Sequence, residues 1–240
     1  MELLALLAAG LFGGAVNALA GGATLLTFPA LMAAGLPPVV ANASNAVALA
    51  PGHLVAAVAD RDSRPEVDRR LRGQVGIAVA GGAAGSVLLL VLPARQFQAA
   101  VPVLIGAATV LFAAAPRLRA RGVGVSTGPG LWVACVYGGF FGAGLGVLLS
   151  ALLTMSSDAD ARRVNARKNL LASAAGLTAV GVFIGTGTVA WPATAAMLTG
   201  ALAGGWLGGR VGGRVPPGVV RATVILGGAT LTAAYAIRFW

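Results

Sequence analysis

Ten apolar stretches, separated by short polar or glycine-rich breaks, run the length of the chain: 2–20, 23–36, 38–59, 72–92, 97–115, 129–145, 147–156, 164–185, 189–209 and 218–238. Eight of them approach the ~20 residues that an α-helix needs to span a bilayer. The second falls short of that length by about a third and the seventh by about half. Both short stretches are interrupted by glycine and lie in the same place in each half, the pattern of a broken or re-entrant element in a secondary transporter. We read 2–36 and 129–156 as helical hairpins that either dip to mid-membrane and return or cross on a thin path. Pro29 should break or kink the second segment, and Pro51-Gly52 should loosen the third.

The chain says one thing twice. Residues 13–45 and 138–169 each open on a glycine pair, carry a second glycine cluster, run through a short apolar segment and close on an asparagine-rich helix start. Gly14, Gly22 and Asn45 map to Gly138, Gly146 and Asn169 at one offset of about half the chain. Gly81, Gly82, Gly85 and Pro93 map to Gly204, Gly205, Gly208 and Pro216 with one residue deleted. The expected fold class is all-α: a polytopic transmembrane helical bundle of two inverted-topology repeats, about five segments each, with eight long helices and two short segments. Residues 1–116 form the first repeat, 117–128 a cytoplasmic linker and 129–240 the second repeat.

Composition fits a membrane solvent. The chain is 58% hydrophobic and 10% charged, against about 25% charged in a soluble domain. Its mean hydropathy is +0.87. The seven acids are Glu2, Asp60, Asp62, Glu66, Asp68, Asp158 and Asp160, none inside a long apolar run. The formal charge of +10 would point to nucleic acid in a soluble protein. Here fourteen of the sixteen arginines sit in loops 60–72, 116–127, 157–168 and 210–221, whereas the loops near 36–38 and 186–190 are uncharged, 93–96 has only Arg95, and Arg238 is the one discordant charge. All the basic loops then fall on one side, which the positive-inside rule makes cytoplasmic. An odd number of segments per repeat inverts the second copy, in agreement with the charge pattern. The expected setting is a bacterial plasma membrane crossed many times, with the lipid bilayer as partner and no nucleic acid. No basic leader precedes the first apolar run, so no signal peptide is expected. The lone Cys135 excludes an intramolecular disulfide.

Small-xxx-small spacings at Gly81/Gly85, Gly138/Gly142, Gly204/Gly208 and Gly205/Gly209 let helix backbones approach closely. They suit internal packing and a homodimer contact equally. Gly21, Gly22, Gly144 and Gly146 differ, because they sit where the chain must turn inside an apolar region. Helix N-termini exposed there would offer N–H groups to an anion. Asn42, Ser44 and Asn45 on segment three, and Asn165, Lys168 and Asn169 on segment eight, share a helical face in each copy. They serve either as caps and interhelical ties or as a polar site at the repeat interface. Asn17, Thr24 and Thr27 can add to its wall, and Ser173 lies one turn beyond Asn169. Lys168, the one lysine, is either an interfacial anchor or the positive charge for an anion. His53, the one histidine, is the candidate for proton coupling by elimination, since no intramembrane carboxylate exists. No catalytic set, metal cluster or cofactor site is expected, and no Walker A pattern appears.

The strings AGG-TLLTFPAL-GLPPVVAN-SNAVAL-PG in the first half, with YGGFFGAGLGV and RRVNARKNLLA in the second, resemble the TauE/SafE family of sulfite exporters over nearly the whole chain. The resemblance implies a polytopic bacterial membrane protein that moves sulfur-containing anions such as sulfite, sulfoacetate or other organosulfonates. It places the family's repeated motif on Asn17, Gly21, Gly22, Ser44 and Asn45, and on Asn165, Lys168 and Asn169. Many relatives carry a lysine after the first-half asparagine, where this chain has Ala46. The expected function is a secondary transporter of a small anion working by alternating access, and not an enzyme. The alternatives are an inverted-repeat carrier of a neutral or cationic metabolite, and an anion channel.

Overall fold

The computed structural model describes residues 1–19, 22–59, 68–121, 127–154, 161–211 and 217–240. Among them lie ten α-helices and no strand: α1 (Glu2–Leu19), α2 (Thr24–Ala33), α3 (Pro38–Ala59), α4 (Arg69–Val91), α5 (Ala94–Arg121), α6 (Thr127–Phe140), α7 (Leu145–Thr154), α8 (Ala161–Gly185), α9 (Trp191–Val211) and α10 (Pro217–Phe239). Helices satisfy their own backbone groups, which is what lipid demands of a spanning segment. Four stretches among the described residues are long and apolar enough to cross a membrane: Arg69–Val91, Ala94–Ala114, Val164–Gly185 and Arg221–Phe239. The outer surface carries exposed Leu4, Phe12, Val91, Val110, Val133, Leu226 and Ile237. An apolar exterior of that extent is a lipid-facing shell.

The two short segments are short helices. α2 and α7 have ten residues each, so each is ~15 Å long, about half of a ~30 Å hydrocarbon core. Glycines set their starts. Gly22 has φ +89°, Gly142 +77° and Gly144 +82°, values that a side chain disfavours. These turns end α6 at Phe140, short of the expected residue 145, and α7 takes up the chain from Leu145. α5 extends through Arg121, into the stretch expected as linker. α2 runs on through Pro29, and α3 through Pro51, so neither proline breaks its helix. In α2, burial of Leu25, Phe28, Leu31 and Met32 holds the turns together, outweighing the one hydrogen bond that proline removes. Tyr235 donates to the Pro29 carbonyl at 3.2 Å and adds to that hold.

The helix pairs exchange when the halves are swapped. α1 packs on α9 as α6 packs on α4; α4 meets α8 as α9 meets α3; α2 lies on α3 as α7 lies on α8; α5 meets α7 as α10 meets α2. α3 with α8, and α5 with α10, pair across the middle. The first helix of each half therefore docks on the fourth helix of the other. Glycine makes both docks possible. A Cβ on Gly14, Gly200 or Gly204 would strike the facing backbone between α1 and α9, and one on Gly81, Gly85 or Gly139 would do so between α4 and α6. These glycine faces are thus covered from within the chain.

Contacts also give directions. α1 and α9 run side by side in one sense, since Gly10 meets Met197, Gly14 meets Ala201 and Gly208 meets Ala15. α5 and α10 run oppositely: Arg221 donates to the Ala113 carbonyl, and Trp240 Nε1 donates to the Ala99 carbonyl at 3.0 Å. Two apolar cores result. One gathers Phe28, Phe97, Ile105, Phe141, Phe183 and Met197, with Phe28 edge-on to Phe141 at 5.3 Å. The other lies among α4, α6, α7 and α8 and holds Leu131, Cys135, Leu149 and Leu171.

Candidate functional site

The glycine turns bring the N-termini of α2 and α7 to a common space. A cavity of about 800 Å³ is bordered by Gly22, Ala23 and Thr24 at one N-terminus and by Gly144, Leu145, Gly146 and Val147 at the other. Leu25, Leu26 and Thr27 of α2, and Leu145, Val147 and Leu148 of α7, give their N–H groups to carbonyls of the preceding glycine turns, so the ends act on the cavity through their dipoles. Two such ends on one cavity give it a positive field with no formal charge.

The side chains that complete the wall come from α1, α3, α8 and α9. Asn17 reaches it from α1, and Asn165, Lys168 and Asn169 from α8. Eight sequence candidates therefore share one cavity: Asn17, Gly22, Thr24, Gly144, Gly146, Asn165, Lys168 and Asn169. Among the described lining residues, Lys168 carries the formal charge. Its Nζ donates to Asn165 Oδ1 at 2.6 Å. Trp206 of α9 also lines the space, and the Arg210 guanidinium stacks over its ring at 3.6 Å. That contact sets a second cation next to the cavity wall.

The other candidates are placed differently. Asn45 is 2% exposed and borders a smaller cavity of about 60 Å³, which shares Thr24, Leu49, Gly142, Leu145 and Ala172 with the large one. Its Oδ1 lies 2.5 Å from the Thr27 hydroxyl, and its Nδ2 donates to Thr24 Oγ1 at 3.4 Å. Asn45 thus ties α3 to the first turn of α2. On α7, Leu148 and Ala151 stand at the positions that Thr24 and Thr27 hold on α2. Ser44 is fully buried, lies off the cavity wall, and accepts a hydrogen bond from the Ala190 N–H at 3.0 Å. Ser173 lines neither cavity. Gly21 and the side chain of His53 lie outside the described residues.

The cavity sits toward the end of the bundle that carries Arg69, Arg70, Arg167 and Arg210, because its α8 and α9 residues lie within a few turns of those arginines. Toward the opposite end, hydrogen bonds tie the helices together. Asn42 Nδ2 donates to the Phe140 carbonyl at 2.9 Å, joining α3 to the end of α6. The Ser44–Ala190 bond joins α3 to the connection before α9. Sequence reasoning did not mark Trp206, Gly14, Gly52 or Gly205 as cavity residues. The signal for Trp206 is the arginine one turn later, at Arg210.

The chain is 26% identical over 234 residues to the "Probable membrane transporter protein YfcA" of Escherichia coli K12, covering 93% of this chain and 85% of that one. It is 25% identical over 243 residues to a "Probable membrane transporter protein" of Haemophilus influenzae, covering 97% and 94%. No solved structure matches it. The family model described as "Sulfite exporter TauE/SafE" matches residues 6–235, and with nearly its whole length so matched this multi-pass membrane protein belongs to the TauE/SafE family.

Proposed function

We propose that the chain is a secondary carrier of a small anion, with sulfite, sulfoacetate and other organosulfonates as the substrate class, working by alternating access across the plasma membrane. The observation that carries this reading is the convergence of two half-helix N-termini, Lys168 and three asparagines on one cavity of about 800 Å³. The asparagine amides and the fields of the two helix ends replace the water lost by an entering oxyanion, and Lys168 offsets part of its charge. The family description supplies the sulfur chemistry, and the names of the relatives supply membrane transport.

The two repeats are of inverted topology in this reading. Support comes from the exchange of helix pairs between the halves and from the antiparallel course of α5 and its counterpart α10. The basic end is then cytoplasmic by the positive-inside rule. The residue ranges 1–116 and 129–240 are the rocking units, interlocked through α1 on α9 and α4 on α6. A carrier fits better than a channel in this reading, with the Asn42–Phe140 and Ser44–Ala190 bonds holding the side opposite the cavity closed.

The test is counterflow in proteoliposomes loaded with sulfite or a small sulfonate. Saturable exchange is expected for the parent, with a sharp loss in Asn169→Ala. Exchange that fails to saturate, or an Asn169→Ala variant that exchanges as well as the parent, would sink the reading.

A further inference from the structure

Because the halves share one register, each cavity residue has a counterpart in the other half. With Gly22 on Gly146 and Asn45 on Asn169, Lys168 falls on Ser44 and Leu49 falls on Ser173. Leu49 lines the cavity, whereas Ser173 does not. Ser173 is 4% exposed, and its hydroxyl has no hydrogen-bond partner among the described residues. That is unusual. A helical serine commonly bonds the carbonyl four residues back, as Ser150 does to Gly146 at 2.7 Å. A buried hydroxyl left unpaired is destabilising and calls for an explanation in the working of the protein. Ser44, the counterpart of Lys168, spends its oxygen on the Ala190 N–H at the end opposite the cavity.

We propose that Ser44 and Ser173 line the anion site of the opposite-facing state, and that this second site holds anions more weakly because a serine stands there in place of Lys168. The proposal rests on the carrier reading above and on its inverted repeat. In an inverted-repeat carrier, rocking one repeat against the other gives the two access states. Exchanging the roles of the halves puts Ser44 where Lys168 now stands and Ser173 where Leu49 now stands. Opening the far end breaks the Ser44–Ala190 bond and brings the unpaired Ser173 hydroxyl to the substrate. The two sites then differ by one positive charge. Anions are captured tightly from the basic end and released readily at the other, while net flux still follows the coupled gradients. A ligand with unequal affinity for two states also shifts their populations, so substrate at saturation favours the state with Lys168 in the wall.

The first test reads accessibility and needs no substrate. In the full-length chain with Cys135→Ala, the single variants K168C and S173C are exposed to a charged, membrane-impermeant thiol reagent in right-side-out and in inverted membrane vesicles. K168C should react at least tenfold faster from the basic-loop face, and S173C at least tenfold faster from the opposite face. Reaction of S173C from the basic-loop face, or from neither face while K168C reacts, overturns the proposal. The second test reads sulfite half-saturation from each face. The parent should be at least fivefold tighter at the basic-loop face, and S44K should narrow that gap by tightening the opposite face alone. Equal half-saturation at both faces of the parent overturns the proposal as well. If the thiol pattern holds but the parent exchanges no sulfur anion, the substrate class falls and the assignment of Ser44 and Ser173 stands.

Discussion

Replacing Lys168 with glutamine isolates the electrostatic part of the site. Glutamine keeps an N–H donor toward Asn165 and removes the charge. A cavity of about 800 Å³ has the volume of a sphere of ~6 Å radius, so an anion at its centre lies ~6 Å from a wall charge. Two unit charges at ~6 Å attract by about 0.7 kcal/mol in bulk water and about 3 kcal/mol at an effective dielectric constant of ~20. A wet cavity falls between these bounds, at about 1–2 kcal/mol, which is a five- to thirtyfold change in affinity. The assay is counterflow with a monovalent sulfonate, measured as half-saturating concentration at the basic-loop face, in low and in high salt. Lys168→Gln should raise that concentration five- to thirtyfold, with the larger factor at low salt. Lys168→Arg should stay within about threefold of the parent. A change of twofold or less in a correctly inserted Lys168→Gln variant would refute the argument that this charge faces the anion.

Three further outcomes follow from the same geometry. Gly204→Val puts a side chain into the Leu11 backbone and should cost about 1–3 kcal/mol or more, read as a lowered melting temperature in detergent; an unchanged melting point would contradict the tight α1–α9 dock. Thr27→Val removes the hydroxyl that meets Asn45 Oδ1 at 2.5 Å and should cost about 1 kcal/mol of stability with little change in half-saturation, since Thr27 lies off the large cavity; a tenfold change in half-saturation with stability unmoved would reverse that division of roles. Trp206→Leu frees Arg210 from its stack, a contact worth about 0.5–1 kcal/mol, and should weaken anion capture by two- to fivefold in the counterflow assay; unaltered capture would show that Arg210 sits too far from the cavity to matter.

Much of this architecture is legible in the residues because lipid allows so few solutions. Apolar length gave ten helices in the right order, and two short ones in the right places. The repeated glycines pointed to the turns that the positive φ of Gly22 and Gly144 bears out. Pro29 and Pro51 lie inside continuous helices, because tertiary packing outweighs the local propensity that would end a helix there. The end of α6 was missed since Phe141 and Ala143 continue the apolar pattern, and only the dihedrals of Gly142 and Gly144 stop the helix. Within the site, the different placing of Asn45 and Asn169 was hidden. Asn45 meets Thr24 and Thr27 of α2 while Asn169 lines the large cavity, although the two hold matching places in the repeat. Trp206 was hidden for another reason, because a tryptophan in an apolar helix reads as lipid-facing until its neighbours are known.

The crossed docking of first helices on fourth helices has a consequence for how the chain is made. α1 leaves the ribosome early, yet its glycine face fits α9, which is synthesised most of a chain length later. Until then Gly10 and Gly14 present a backbone-deep groove to lipid with nothing of matching shape to fill it. The first half can insert but cannot finish folding, and loop-closure entropy makes that late pairing slow. Mutations on this face should therefore act during biogenesis, as degraded nascent chains, before they are ever felt as altered transport.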